Sequence, residues 1–104
     1  MLREVTDRDF DDVVKEAGVP VLVEFWKPGC GSCRALMGEL EKLELDVTGK
    51  LLIVKMNVED NFQIPAELEI RSLPVLALYQ EGEFARFIGG LGTREEILKQ
   101  LQLM

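Results

Sequence analysis

Apolar positions along this chain follow two rhythms, and the change from one to the other marks out its elements. Phe10, Val13, Val14 and Ala17 recur at helical spacing with polar residues between them, which predicts an amphipathic helix. Thr6 with Asp9 three positions on is a capping-box-like pair, so this helix is expected to start at Thr6 and stop at Gly18. Ahead of it, Leu2 to Val5 reads as a short edge strand. Val19 to Trp26 is almost unbroken apolar sequence, the mark of a buried strand. Helical spacing then returns: Cys33, Leu36, Met37, Leu40 and Leu43 share one face, with Glu39, Glu41, Lys42 and Glu44 mostly off it. Gly38 interrupts that helix and is expected to bend it. Gly49 marks a turn. Leu51 to Met56 is a second buried-type strand, and two such strands joined by a helix form a βαβ unit with parallel strands. A short helix follows over Ala66 to Ile70. Val75 to Tyr79 and Phe84 to Ile88 flank Gln80-Glu81-Gly82-Glu83, which is hairpin chemistry, so this pair is antiparallel. Gly89-Gly90 breaks the chain. Thr93 to Glu96 is a second capping box, opening a helix whose inner face is Ile97, Leu98, Leu101 and Met104. The order β-α-β-α-β-α-β-β-α predicts an α/β fold, a mixed sheet with helices on both faces.

Composition narrows the options. The 104 residues amount to one domain over 1–104, and a hydrophobic content of 47% supplies a core. A formal net charge of −7 argues against phosphate backbones and against an anionic membrane surface, so neither nucleic acid nor membrane is expected as a partner. The segment Met1 to Asp7 lacks the apolar stretch of a secretory signal, and no run approaches the ~18 apolar residues of a membrane span. A reducing cytoplasm is the default compartment and a monomer the default state. Two cysteines fit that compartment, since small secreted domains usually carry more. The chain has no histidine. That removes any Cys–His nucleophile pair and any His-ligated metal. Zinc would need two further ligands from carboxylates or a second chain, so no metal and no bound cofactor is expected.

The two cysteines are the candidate chemistry. Cys30-Gly31-Ser32-Cys33 lies between the buried strand and the second helix, the setting of a thiol–disulfide switch. A helix N-terminus offers unpaired N–H groups and partial positive charge, which stabilise a thiolate. Cys30 holds the N-cap, with Lys27 and Arg34 adding positive charge. Cys33 lies one turn in, on the apolar stripe. Cys30 is therefore expected to attack a target disulfide, and Cys33 to resolve the mixed disulfide that forms. The bland alternative is an inert thiol pair or a plain disulfide.

Glu24 is the other anomaly. A carboxylate within Val-Leu-Val-Glu-Phe-Trp is costly to bury unless neutral or paired. With a raised pKa it suits a proton acceptor for Cys33. Lys55, on the neighbouring parallel strand, is the best candidate partner. The ordinary readings are an outward-facing glutamate and a solvated strand-end lysine. Trp26 reads most simply as packing under the cysteine loop. Arg71-Ser72-Leu73-Pro74 precedes an apolar strand, where a proline is usually trans.

Taken together, Val21-Leu22-Val23-Glu24-Phe25-Trp26, the Cys-x-x-Cys, Lys55-Met56-Asn57-Val58, Arg71-Ser72-Leu73-Pro74 and Gly82-Glu83 resemble the thioredoxin family, in order and in spacing, over nearly the whole chain. The resemblance implies a thioredoxin fold with a four- or five-stranded mixed sheet between helices. It implies Cys30 as nucleophile, Cys33 as resolving thiol, and Glu24 and Lys55 in proton handling. It implies a cis peptide before Pro74, a loop facing the disulfide, and substrate contacts from Gly29, Gly31, Ser32, Leu73 and Pro74. Gly89 or Gly90 matches the family's glycine near the site. Disulfide-containing proteins would be the substrates, and a separate thioredoxin reductase would supply electrons.

Three departures stand out. Gly29 replaces the family's usual tryptophan before the first cysteine and removes an apolar contact with partners. Ser32 replaces a proline, freeing φ and restoring an N–H donor, which favours the thiolate and predicts a more oxidising couple. Glu24 replaces a buried aspartate and is one methylene longer. The sequence therefore reads as a thioredoxin-like protein disulfide reductase. A thiol oxidant or isomerase of the same fold, a non-catalytic docking module, and a metal or iron–sulfur site shared between two chains are the alternatives.

Overall fold

The sheet is built outward from two apolar strands, and the computed structural model describes residues 1–89 and 92–101 of the chain. Gly90 and Met104, named above for substrate contact and for helix packing, lie outside these residues. In chain order the elements are β1 (Arg3–Glu4), α1 (Phe10–Glu16), β2 (Val21–Trp26), α2 (Gly31–Asp46), β3 (Leu52–Asn57), α3 (Gln63–Glu67), β4 (Val75–Gln80), β5 (Glu83–Ile88) and α4 (Arg94–Leu101). The five strands lie in the order β1-β3-β2-β4-β5. β2 pairs in parallel with β3, placing Glu24 beside Lys55. Its other edge pairs antiparallel with β4, which places Glu24 beside Leu76. β1 adds a short parallel edge next to β3, and β5 an antiparallel one next to β4.

Alternation along the strands sends neighbouring side chains to opposite faces. Leu22, Ile53, Leu76 and Leu78 meet Leu36, Leu40 and Leu43 of α2 and Ile97 and Leu101 of α4. Val21, Val23, Phe25, Val54 and Met56 meet Phe10, Val13 and Val14 of α1 and Ile64 of α3. Each fully buried side chain of this size contributes about 1.5–3 kcal/mol. Two cores on one sheet are why β2 reads as continuous apolar sequence.

Several boundaries differ from expectation. The Thr6–Asp9 pair makes its reciprocal bonds, Thr6 N–H to Asp9 Oδ1 at 2.8 Å and Asp9 N–H to Thr6 Oγ1 at 3.4 Å. They close a turn, and helix proper begins only at Phe10. α2 runs unbroken through Gly38, whose position has no heavy atom within 4 Å of where a Cβ would stand. The short helix expected over Ala66 to Ile70 lies earlier, at Gln63–Glu67. Pro65 does not exclude it, because a first-turn residue has no intrahelical use for its N–H. The hairpin turns at Glu81 and Gly82, both at positive φ (55° and 81°), as a two-residue turn of the primed kind requires. Thr93 caps α4 by accepting from Glu96 N–H at 3.3 Å.

Candidate active site

Lys27-Pro28-Gly29-Cys30 closes as a β-turn, with Cys30 N–H donating to Lys27 C=O at 3.3 Å. Gly29 takes φ +84°. Proline followed by a residue at positive φ is the type II pattern, so the glycine standing where the family has tryptophan answers a backbone need. The turn delivers Cys30 to the N-cap of α2 in extended conformation, φ −86° and ψ 102°. Cys33 N–H donates to Cys30 Sγ at 3.1 Å. The Ser32 hydroxyl lies 3.6 Å from the same sulfur, so Ser32 reaches Cys30 through its side chain. Cys30 and Cys33 are joined as a disulfide with Cα atoms 5.3 Å apart. Cys33 is buried and Cys30 half-buried.

The Leu73–Pro74 peptide is cis, as the resemblance implied. Arg71, Ser72 and Leu73 form one wall of a groove of about 460 Å³. Lys27, Cys30, Gly31 and Ser32 line the same groove, with Val58, Pro65 and Ile70 completing the lining. Pro74 borders a second depression together with Ser32, Gly92 and Thr93. Gly92 had no part in the expected site. Gly89 lies in neither lining. Its N–H donates to Gln100 Oε1 at 3.1 Å and its C=O accepts from Gln100 Nε2.

Glu24 is fully buried. Neither carboxylate oxygen has a hydrogen-bond partner among the described residues. Burial pushes its pKa up from an ordinary 4.5 to about 8, against a smaller opposing pull from Lys55. Lys55 sits beside it in register, and its ammonium makes its close contacts with other groups. It lies 3.9 Å from Glu4 Oε1, 3.6 Å from Met37 Sδ and 5.4 Å from the Trp26 ring centroid. Glu4 also accepts from Trp26 Nε1–H at 3.3 Å and from Asn57 N–H at 3.1 Å. Trp26 is thus held by an edge-strand carboxylate and a cation, a more specific arrangement than packing alone. Nothing in the sequence singled out Glu4, because its role depends on which strand lies beside β3.

Asp7 was missed for the same reason. It accepts from the N–H groups of Phe62 (2.6 Å), Gln63 (2.8 Å) and Ile64 (2.9 Å). The N-cap residue of α3, Phe62, offers no side-chain cap, so the aspartate supplies one from across the fold. Burial opposes its ionisation, yet the three donors outweigh that and hold its pKa below 3.8. Asp7 N–H in turn donates to Asn61 Oδ1 at 2.8 Å. α3 leads directly into the cis-proline loop, so this clasp anchors one wall of the groove.

A closable cysteine pair at the head of a helix, opposite a cis-proline loop and backed by a buried carboxyl, belongs to the thiol–disulfide oxidoreductases. The family model for thioredoxin matches residues 1–103. A thioredoxin of Haemophilus influenzae is 42% identical over 79 residues, 76% of this chain and 74% of its own. A thioredoxin of Rickettsia felis is 40% identical over 98 residues, covering 94% and 93%. Thioredoxin 1 of a Nostoc species is 32% identical over 99 residues, covering 95% and 92%. The chain belongs to the thioredoxin family, and it is a thioredoxin-like disulfide reductase with the Cys30–Cys33 couple as its redox pair. No helix among the described residues is long and apolar enough to cross a membrane. No group of three or more His, Cys, Asp or Glu among them is placed to hold a metal ion.

Proposed function

We propose that residues 1–104 act as one unit that reduces disulfides in other proteins, with Cys30 as the attacking thiol. The observation that carries this assignment is the asymmetry of the pair. Cys30 is half-buried, lines the groove, and receives a backbone N–H at its sulfur, whereas Cys33 is buried. A donor aimed at sulfur at a helix N-terminus favours the thiolate. Cys30 thiolate attacks one sulfur of the target, forming a mixed disulfide and expelling the other sulfur as a thiolate that takes up a proton. Cys33 loses its proton and attacks Cys30 Sγ. The new Cys30–Cys33 bond forms, the mixed disulfide breaks, and the second target thiolate leaves. Two electrons have passed from the dithiol to the target, and once the second target thiolate also takes up a proton from solvent, the two protons gained by the target balance the two released by Cys30 and Cys33.

Glu24 in its ionised form receives the Cys33 proton in this scheme and passes it on to solvent, supported by its burial and by a pKa of about 8, near the working pH. Lys55 and Glu4 act as positioning residues around it and Trp26. Gly31, Ser32, Leu73 and Pro74 contact the target chain, with Gly29 shaping the turn. The reading requires no bound cofactor. A thioredoxin reductase restores the dithiol, and the cytoplasm is the compartment in which that cycle runs. Cys33→Ser should trap a target as a stable mixed disulfide through Cys30, visible by mass spectrometry, and Cys30→Ser should trap none. Equal trapping by both variants would refute the division of roles.

A further inference from the structure

We infer that the groove beside Cys30 selects target disulfides embedded in acidic protein segments, which Lys27 and Arg71 engage from its lining. The inference rests on the reductase reading above and adds the substrate class. Lys27 and Arg71 both line the groove that holds Cys30, and both are exposed. Its lining contains no acidic residue. The first turn of α2 carries none either, and Arg34 stands there, exposed. The nearest acids in sequence, Glu59, Asp60 and Glu69, fall outside the lining, and Asp60 accepts from Asn57 Nδ2 at 3.3 Å.

This is unusual for a chain with 19 acidic and 12 basic residues. Carboxylates are plentiful, and Lys42, Lys55 and Arg94 each have one within 4.0 Å. Among the described residues, neither Lys27 nor Arg71 enters an ion pair. Both are therefore free to pair with an incoming chain, although Arg71 shares an adjoining depression with Glu69. Between them the groove offers Val58, Pro65, Ile70 and Leu73, an apolar floor that suits an extended polypeptide. The net negative charge of the chain disfavours an acidic partner, and the two cations at this opening offset that locally and orient its approach. An arrangement of this kind acts mainly on encounter rate and on choice of partner.

The test uses pre-reduced protein in single-turnover exchange with three synthetic peptides. They share one disulfide ring and differ only in flanking residues: aspartates, serines or lysines. The serine peptide normalises for any change in Cys30 reactivity caused by nearby charge. Two exposed cations predict a second-order rate constant for the aspartate peptide roughly 3- to 10-fold above that for the serine peptide, with the lysine peptide slowest. That ratio should shrink towards one as salt rises from about 0.02 to about 0.5 M. In Lys27→Glu/Arg71→Glu the order should reverse in favour of the lysine peptide. Equal rates on all three peptides, or a ratio unchanged in the double variant, would overturn the substrate assignment and leave the reductase reading standing. No reduction of any peptide by the parent protein would overturn both.

Discussion

Replacing Glu24 by glutamine should make the protein more stable, by an amount that grows with pH. The folded-state pKa of Glu24 is about 8 against an ordinary 4.5. Below the lower value the carboxyl is neutral in both states and costs little. As pH rises above it, the unfolded chain releases the proton while the folded chain keeps it, so stability falls. Each pH unit in this window costs about 1.4 kcal/mol. The accumulated penalty is about 1 kcal/mol at about pH 5.5 and about 4 kcal/mol at about pH 7.5. Glutamine keeps the shape and cannot ionise. The stability gap between Glu24→Gln and the parent should therefore widen by roughly 2–3 kcal/mol across that interval. Urea unfolding of the oxidised proteins measures it, since a closed disulfide removes the thiols from the titration. Asp7, Glu39 and Glu95 titrate below their ordinary values, and they cancel in the comparison in any case. A gap that stays constant between the two pH values would refute the claim that burial raises the pKa of Glu24, and with it the case for a carboxyl that exchanges protons with Cys33 near the working pH.

Two further outcomes follow from packing and capping. Asp7→Asn keeps one acceptor for α3 where the carboxylate served three N–H groups, so it should cost about 1–2 kcal/mol near neutral pH. Hydrogen exchange should quicken at Phe62, Gln63 and Ile64, and the parent should lose the same contribution as pH falls through the lowered pKa of Asp7. Gly38→Ala fills open space on a helix that runs straight through it. It should raise stability by about 1 kcal/mol in urea unfolding, and a loss would mean that this glycine serves something other than the helix.

The elements legible in the sequence were those whose cause is local or periodic. β2 and β3 announced themselves because both their faces are covered, and the α2 stripe because one of its faces is. The cysteines were placed correctly at the head of α2, since the change from strand to helical spacing occurs there. Failures came where a contact spans the fold. Lys55 stands beside Glu24 and acts on its carboxyl, as strand adjacency implied, but Glu4, which β1 brings to within 3.9 Å of the ammonium, carried no signal. α3 was placed late because Pro65 reads as a breaker and its actual cap, Asp7, is remote in sequence. The turn at Lys27–Cys30 is a different kind of miss. Pro28-Gly29 is a turn signal in its own right, one carried by the same position that lacks the family's tryptophan. Gly92, beside Ser32 and Pro74, carried no signal beyond being one glycine among several.

The clasp between Asp7 and Ile64 joins residues 57 positions apart. Contacts of long span are the slow ones to form, because the chain between them must be ordered before they repay its entropy. During synthesis Asp7 is made early, and the helix it completes emerges only after β2, α2 and β3. Until that late meeting, the loop opposite Cys30 lacks its anchor, even if the cysteines already sit on a formed helix. A partly made chain can therefore hold reactive thiols without a surface to choose their targets. Selectivity arrives after reactivity in the life of the molecule, once its beginning has closed on its middle.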